Sequence, residues 1–169
     1  LESGPVHVVG SVGKKFGREV WPDHQAVSRQ PATAQTLAEE SPNHDIIVIL
    51  AHGELDDDNE ESLVLADENG MYEVKAAADI ISRAQFDDAR VILLACGSGR
   101  IGKAAHAPHG IAGKLLAAGA LEVVAPLWNV RLSAALQVGK SLLAGQQQGR
   151  SFSEVLANLQ CAGSSTGPQ

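Results

Sequence analysis

Two residues of this sequence, a cysteine and a histidine, have side chains that could work together as a nucleophile and a general base. Cys96 follows five apolar residues that run without a break, and His52 follows a similar apolar run over residues 46–51. Apolar runs of this length that end in glycine predict strands that are buried on both faces. In open α/β sheets, chemistry gathers at the carboxyl ends of the parallel strands. Both residues therefore fall where a reactive group is expected.

The pairing of these two strands would determine what chemistry is possible. Neighbouring strands lie about 4.8 Å apart, so the thiol would face the imidazole across one gap. The histidine would take the thiol proton and later return one to a leaving amine, and a cysteine thiolate needs no third member. The adjacent glycines, Gly53 and Gly97, let a substrate backbone approach closely. Backbone N–H groups of Gly53 and of either Cys96 or Gly97 are predicted to form an oxyanion hole.

Strand and helix patterns alternate along the chain, and these elements must position the two residues. Strands are predicted over residues 6–12, 24–30, 46–51, 90–95 and 121–125. Helices are predicted over residues 33–41, 75–86, 110–118, 132–143 and 151–159, the last with a capping-box pattern at Ser151 and Glu154. A β-hairpin with an Asn-Gly turn is predicted over residues 62–74. This alternation predicts an α/β fold with a mostly parallel sheet and helices on both faces, although the pairing of the second strand is left open.

The composition of the chain excludes several classes of protein. With 169 residues, of which 44% are hydrophobic, the chain is long enough for one domain with a core. Its net charge of −7 and the lack of a basic patch argue against nucleic acid as a partner. No apolar run reaches the roughly 20 residues that span a bilayer, so no membrane partner is expected. Two cysteines indicate a reducing, cytoplasmic compartment. Because the chain lacks an initiator Met, it is expected to be either a fragment of a longer protein or a free-standing subunit.

Four short motifs, in this order, resemble the CHAT domain, a family of caspase-like (clan CD) cysteine peptidases related to the caspases and separase. They lie within residues 44–160 and are Ala51-His52-Gly53, Leu94-Ala95-Cys96-Gly97-Ser98-Gly99, Gly119-Ala120 and Leu127-Trp128-Asn129-Val130. The resemblance implies a single caspase-like domain over residues 1–169, built as a three-layer sandwich with a small β-hairpin insertion. It also implies that Cys96 and His52 are the catalytic dyad of a cysteine-type endopeptidase.

The resemblance further implies what the protein acts on. The substrate is expected to be a protein or peptide, with no cofactor required. Because CHAT domains often follow helical repeats or sensor domains, a regulatory partner or an N-terminal domain outside this chain is expected. Trp128, Asn129 and Arg131 are expected to contact the substrate. Most CHAT sequences carry an acidic pair where Arg131 and Leu132 stand here, so the pocket is expected to favour an acidic or neutral residue.

Other patterns in the chain have competing interpretations. Residues 97–102 fit the dinucleotide motif G-x-G-x-x-G and residues 97–103 fit G-x-x-x-x-G-K, but no helix is predicted to open inside either motif. His52, Cys96, His106 and His109 are a sparse ligand set for zinc, so no metal site is expected. Six acidic residues within residues 54–61 predict a solvated loop rather than a calcium site.

Two alternatives remain open at the level of the sequence. Trp128 is either a core anchor or a wall of the substrate cleft. The protein is either an active peptidase or a catalytically silent interaction or sensor domain on the same fold, regulated by a partner. Reactivity of the Cys96 thiol distinguishes these two functions, because an activated cysteine alkylates quickly at neutral pH and a structural one does not.

Overall fold

A computed structural model of the chain describes most of the predicted elements. The described residues are 6–10, 27–31, 33–43, 45–55, 61–66, 72–76, 79, 81–82, 84–98 and 110–164. Those up to Arg131 form one compact unit, with α/β structure, and those from Leu132 onwards form another, which is helical. Across the described residues, no helix combines the length and the apolar character needed to cross a membrane.

The α/β unit contains a five-stranded sheet whose strands all run parallel. The strands are β1 (Val6–Gly10), β2 (Val27–Pro31), β3 (Ile46–Leu50), β7 (Arg90–Leu94) and β8 (Glu122–Val124), in the spatial order β2-β1-β3-β7-β8. The second strand, whose pairing the sequence left open, pairs in parallel with β1. The predicted α/β fold with a mostly parallel sheet is confirmed.

The two central strands of this sheet, β3 and β7, are apolar because both of their faces are buried. Every residue of β3 is buried, and so are residues 91–94 of β7. Ile47 and Val91 belong to one core cluster, while their neighbours Val48 and Ile92 point to the opposite face and are equally buried. Each such side chain contributes roughly 1.5–3 kcal/mol on burial. Two-sided burial explains why the sequence shows continuous apolar runs here instead of alternation.

Two short helices of the α/β unit add side chains to this core. They are α1 (Ala34–Glu40) and α2 (Ile111–Ala117), and they confirm the helices predicted over residues 33–41 and 110–118. Leu37 of α1 and Leu115 of α2 are buried in the same cluster as Ile47. Both helices therefore pack in the same core as the central strands, whose carboxyl ends the candidate residues follow.

A separate three-stranded antiparallel sheet follows β3 in the chain. Its strands are β4 (His52–Leu55), β5 (Glu61–Ala66) and β6 (Tyr72–Ala76), in the order β4-β5-β6. Strands β5 and β6 confirm the predicted hairpin insertion, whose Asn-Gly turn lies outside the described residues. Strand β4 was not predicted, and it places His52 opposite Val64 of β5. His52 therefore begins a strand of the second sheet immediately after the first sheet ends.

The helix predicted over residues 75–86 is wrong at both ends. Residues 75–76 belong to β6, where they pair with β5. Residues 84–86 are not helical, and the described helical positions in this stretch are Asp79 and Ile81. Cross-strand pairing outweighs the local preference for helix at the start of the stretch, and burial of Phe86 in the core accompanies its end.

The helical unit contains α3 (Leu132–Gln147) and α4 (Phe152–Ser164), and both helices run further than predicted. The predicted capping box at the start of α4 is confirmed. The Ser151 N–H donates to Oε2 of Glu154 at 2.8 Å, and the Glu154 N–H donates to Oγ of Ser151 at 3.2 Å. The two bonds satisfy backbone donors that the first turn of a helix leaves without partners.

Candidate active site

The pairing of β3 with β7 brings His52 and Cys96 to the same edge of the parallel sheet. The ladder places Leu50 opposite Leu94, and it continues through a hydrogen bond of 3.4 Å from the Ala51 N–H to the Leu94 carbonyl. His52 and Cys96 each come two positions after the last paired residue of their strand. The two strands are therefore neighbours in the sheet, and both residues stand at the same level of it.

Gly53 shows how closely the two strand ends approach each other. A Cβ built on Gly53 would overlap the carbonyl oxygen of Cys96 and would lie 3.2 Å from the carbonyl carbon and the amide nitrogen of that residue. The obstructing atoms belong to the backbone, so they cannot rotate away. The segment that carries His52 therefore lies directly against the backbone of Cys96, and only glycine fits at position 53.

The two candidate residues differ in their exposure to solvent. Cys96 is half-buried in the turn that follows β7, whereas His52 is exposed at the first position of β4. The imidazole of His52 is therefore open to solvent. A half-buried thiol is partly sheltered from bulk solvent but remains within reach of a bound molecule.

A tight turn at Cys96 explains the glycine that follows it. The Ser98 N–H donates to the Ala95 carbonyl at 3.3 Å and closes a four-residue turn. Gly97 has a φ of 70°, and Asp88 is the one described non-glycine residue with a positive φ, so that of Cys96 is negative. These values correspond to a type II turn, which needs glycine at its third position. The turn therefore presents Cys96 at its second position.

Ser98 is a residue of this site that the sequence did not single out. Its hydroxyl donates to the Ala95 carbonyl at 2.7 Å, and the residue is only 1% exposed. Its own carbonyl accepts a hydrogen bond of 3.2 Å from the N–H of Ala112, in the first turn of α2. The signal in the sequence is weak, since a serine between two glycines is typical of an ordinary loop.

The segment that follows β8 reaches the Cys96 turn through backbone groups. The Cys96 thiol donates a weak hydrogen bond to the Val130 carbonyl at 3.8 Å, across 34 positions of sequence. The Gly97 N–H donates to the Trp128 carbonyl at 3.4 Å. Residues 128–130 of the fourth motif therefore lie against the candidate nucleophile.

The side chains of this segment are open to solvent. Trp128 is 65% exposed, so its interpretation as a core anchor is wrong and a role in the wall of a cleft remains. Asn129 and Arg131 are exposed as well. All three residues predicted to contact the substrate are therefore accessible, on a segment that touches the Cys96 turn.

Parts of the alternative sites lie outside the described residues. These parts are residues 99–109, which include His106 and His109 of the zinc set, and residues 56–60 of the acidic loop. Residues 97–98, which begin both glycine motifs, form the turn at Cys96 and do not open a helix. Within the ranges that the structure describes, no three His, Cys, Asp or Glu side chains are grouped so as to hold a metal ion.

Comparison with family models shows where the chain belongs. The model of the CHAT domain matches residues 8–165. The chain is a member of the CHAT-domain family. The match extends beyond residues 44–160, on which the resemblance rests, and includes most of β1 and all of β2. CHAT domains are caspase-like and related to peptidases, in agreement with the parallel α/β sheet. A search of curated proteins finds none that matches this CHAT domain.

Proposed function

We propose that this CHAT domain is a cysteine endopeptidase that hydrolyses peptide bonds of a protein substrate. The observation that carries the proposal is the contact between Gly53 and the backbone of Cys96, because the segments of His52 and Cys96 then lie side by side. Membership of a peptidase-related family supports it. Cys96 is the nucleophile, and His52 is the general acid and base.

The reaction proceeds in two halves through a thioester. The Cys96 thiol gives its proton to the His52 imidazole, and the thiolate attacks the carbonyl carbon of the scissile bond. When the C–N bond breaks, the imidazolium gives its proton to the leaving amine, and the acyl group stays on Cys96. His52 then takes a proton from a water molecule, whose oxygen attacks the thioester. The acid product leaves, and the thiol regains its proton.

The negative charge on the attacked carbonyl oxygen needs backbone N–H donors. Gly53 is one proposed donor, and Gly97 or Cys96 is the second. The Gly97 N–H donates to the Trp128 carbonyl at 3.4 Å, so it becomes available only when that contact opens. The Cys96 N–H has no hydrogen-bond partner among the described residues. A hole that uses the Cys96 N–H therefore leaves the contact between Gly97 and Trp128 in place, whereas one built with Gly97 needs residues 128–130 to move.

Residues after β8 are proposed to bind the substrate beside the cut. Trp128 and Asn129 are exposed next to the backbone groups that contact the Cys96 turn. Arg131 is also exposed, and it follows the residue whose carbonyl accepts the thiol. Its positive charge favours an acidic or neutral substrate residue over a basic one.

The proposed cellular compartment of the enzyme follows from the chemistry of its thiol. Catalysis needs a reduced thiol, and Cys96 and Cys161 are both free, so we place the protein in the cytoplasm. A regulatory partner or an N-terminal domain outside this chain is proposed to control activity. Neither nucleic acid nor a membrane is proposed as a partner, and no cofactor or metal takes part in the proposed steps.

Labelling with peptidyl acyloxymethyl ketones tests this function, because these probes alkylate the thiol of an active cysteine peptidase. Probes with Asp, Leu or Arg before the reactive group are applied to wild type, Cys96→Ala and His52→Ala. We expect one label on wild type and a rate at least about 10²-fold lower in both variants. Cys161→Ala is the matched control, since Cys161 is an exposed free cysteine on α4, and it should label like wild type.

The same probes measure which substrate residue the pocket prefers. We expect the Asp and Leu probes to label faster than the Arg probe, and Arg131→Glu to shift the preference toward Arg. Full-rate labelling by the Arg probe would contradict the role of Arg131. Equal labelling of wild type and His52→Ala would contradict the dyad.

The second candidate function is a catalytically silent interaction domain that a partner regulates. The observation in its favour is that residues 128–130 already engage both the Cys96 thiol and the Gly97 N–H. Absence of labelling in wild type would support this function. The search would then turn from a substrate to a partner protein.

A further inference from the structure

Ser98 is a buried polar residue that has no step of its own in the proposed reaction. It is 1% exposed, although it belongs to the turn that presents Cys96. Each of its polar groups is hydrogen-bonded, the N–H and the hydroxyl to Ala95 and the carbonyl to Ala112. The hydroxyl of Ser41, another buried serine, has no partner among the described residues. Unlike Ser41, Ser98 therefore has a hydrogen-bond partner for each of its polar groups.

Two hydrogen bonds from Ser98 converge on the same carbonyl. The hydroxyl donates to the Ala95 oxygen at 2.7 Å, and the N–H donates to it at 3.3 Å. The hydroxyl makes the shorter bond and hence the stronger closure of the turn. Ala95 is itself only 1% exposed, so water cannot replace the hydroxyl if it is removed.

The tip of the turn is held more weakly than its base. The Cys96 thiol is 3.8 Å from the Val130 carbonyl, and the Gly97 N–H is 3.4 Å from the Trp128 carbonyl. Both distances are at the long end of the range for hydrogen bonds. Gly97 also has no side chain to restrict its backbone. The position of the thiol therefore depends mainly on how Ser98 closes the base.

We propose that Ser98 is a positioning residue, whose hydroxyl holds the turn so that the Cys96 thiol is aligned for attack. This inference rests on the proposed peptidase function. Ser98 touches no substrate and acts through the Ala95 carbonyl and the turn. The backbone bond from Ala112 to the Ser98 carbonyl survives any side-chain substitution, so Ser98→Ala removes the hydroxyl and keeps the link to α2.

The first test compares Ser98→Ala with Ser41→Ala, a matched control that removes a buried hydroxyl without a described partner. Probe labelling is resolved into KI and kinact. We expect Ser98→Ala to lower kinact about tenfold, because a misplaced nucleophile loses its orientation. KI should stay within about twofold, since the groups that contact the probe are unchanged. Ser41→Ala should leave both constants near wild type, and Ser98→Thr, which restores a hydroxyl, should recover kinact.

The second test needs no peptidase activity. Alkylation of Cys96 by iodoacetamide is compared with that of the exposed Cys161 in the same molecule. Trypsin separates the two thiols into the peptides 91–100 and 151–169, which mass spectrometry quantifies. We expect the ratio of Cys96 to Cys161 alkylation to rise at least about threefold in Ser98→Ala, because a looser turn opens the half-buried thiol. In Ser41→Ala the ratio should not change.

The two tests distinguish failure of this inference from failure of the proposed function. A labelled Ser98→Ala variant with wild-type kinact overturns the positioning role, and so does an equal loss in Ser41→Ala. A Ser98→Thr variant with the wild-type thermal midpoint and the slow labelling of Ser98→Ala also overturns it. If wild type is never labelled, an unchanged alkylation ratio overturns the role of Ser98. A ratio that rises in Ser98→Ala alone then supports control of the thiol by Ser98, while the peptidase function fails.

Discussion

At Gly53, the absence of a side chain allows two strand ends to meet. The atoms that a Cβ would encounter are the backbone carbonyl and amide of Cys96. A methyl group at this position would therefore separate the segment of His52 from the Cys96 turn, since neither backbone can turn aside. The proposed dyad therefore requires a residue without a Cβ at position 53.

Gly53→Ala is expected to lower kinact of probe labelling by about tenfold to a hundredfold, because a displacement near 1 Å is enough to lose catalytic alignment. Gly149→Ala is a suitable control. Gly149 has a φ of 73°, and a Cβ added there would meet nothing within 4 Å, so alanine strains its backbone without a steric contact. We expect this control to label like wild type. Wild-type labelling of Gly53→Ala would contradict the close approach.

At the scale of elements, strand β4 shows how pairing can create structure that a short segment does not predict. Its four residues, His52–Leu55, contain a histidine, a glycine and a glutamate. None of these residues favours a strand strongly, but β5 supplies an antiparallel partner along the whole segment. The second sheet therefore determines the backbone direction at His52, and the first sheet determines that of Cys96.

Helix α4 begins with a capping box that makes its stability depend on pH. The pKa of Glu154 is lowered from its ordinary value of 4.5, mainly because the Ser151 N–H donates to its carboxylate, and further by the Ser151 hydroxyl and the charge of Arg150. A carboxyl group with a lower pKa in the folded state adds stability above its unfolded pKa. That stability is lost as the pH falls through the folded pKa.

Glu154→Gln is expected to lower the thermal midpoint at pH 7 slightly, because the neutral amide is a weaker acceptor for the Ser151 donors. The difference from wild type should shrink as the pH falls below about 4.5 and vanish below the folded pKa of Glu154. Thermal unfolding followed by circular dichroism over this pH range measures it. Asp79→Asn, which changes an exposed carboxylate, is the control for loss of one negative charge. A difference that is independent of pH would contradict the role of the carboxylate.

At the scale of the molecule, Phe86 is a central member of the core of the α/β unit. Its side chain is fully buried in the cluster that includes Ile47 and Val91. Its N–H donates to the Ala118 carbonyl at 3.3 Å, which ties the stretch before β7 to the end of α2. The core and the entry into β7 are therefore stabilised together.

Phe86→Ala is expected to lower the free energy of unfolding by about 3–5 kcal/mol, through lost burial and the cavity that remains. Leu121→Ala is the control, because Leu121 is 58% exposed and its loss should cost no more than about 0.5 kcal/mol. The midpoint of urea unfolding, at an unchanged slope, measures both values. Similar small losses in the two variants would contradict the central place of Phe86.

The sequence by itself determined the fold class and the two candidate catalytic residues. The continuous apolar runs before His52 and Cys96 are local signals, because a strand buried on both faces has no polar side to show. The glycines after the two residues are also local signals, and at Gly97 a positive φ of 70° is the reason. The alternation of strands and helices predicts a mostly parallel sheet, so both residues are expected at the carboxyl ends of its strands.

Only the tertiary structure decided which groups surround the Cys96 thiol. The Val130 carbonyl contacts it across 34 positions, and nothing in the residues between them predicts that approach. Nothing in the neighbouring residues predicts the role of the Ser98 hydroxyl either. That hydroxyl matters because the Ala95 carbonyl is buried, so water cannot take its place as a hydrogen-bond donor. Strand β4 likewise depends on its partner β5. Hydrogen bonds and burial depend on which residues are neighbours in three dimensions. Residues that are distant in the sequence become neighbours only when the chain folds.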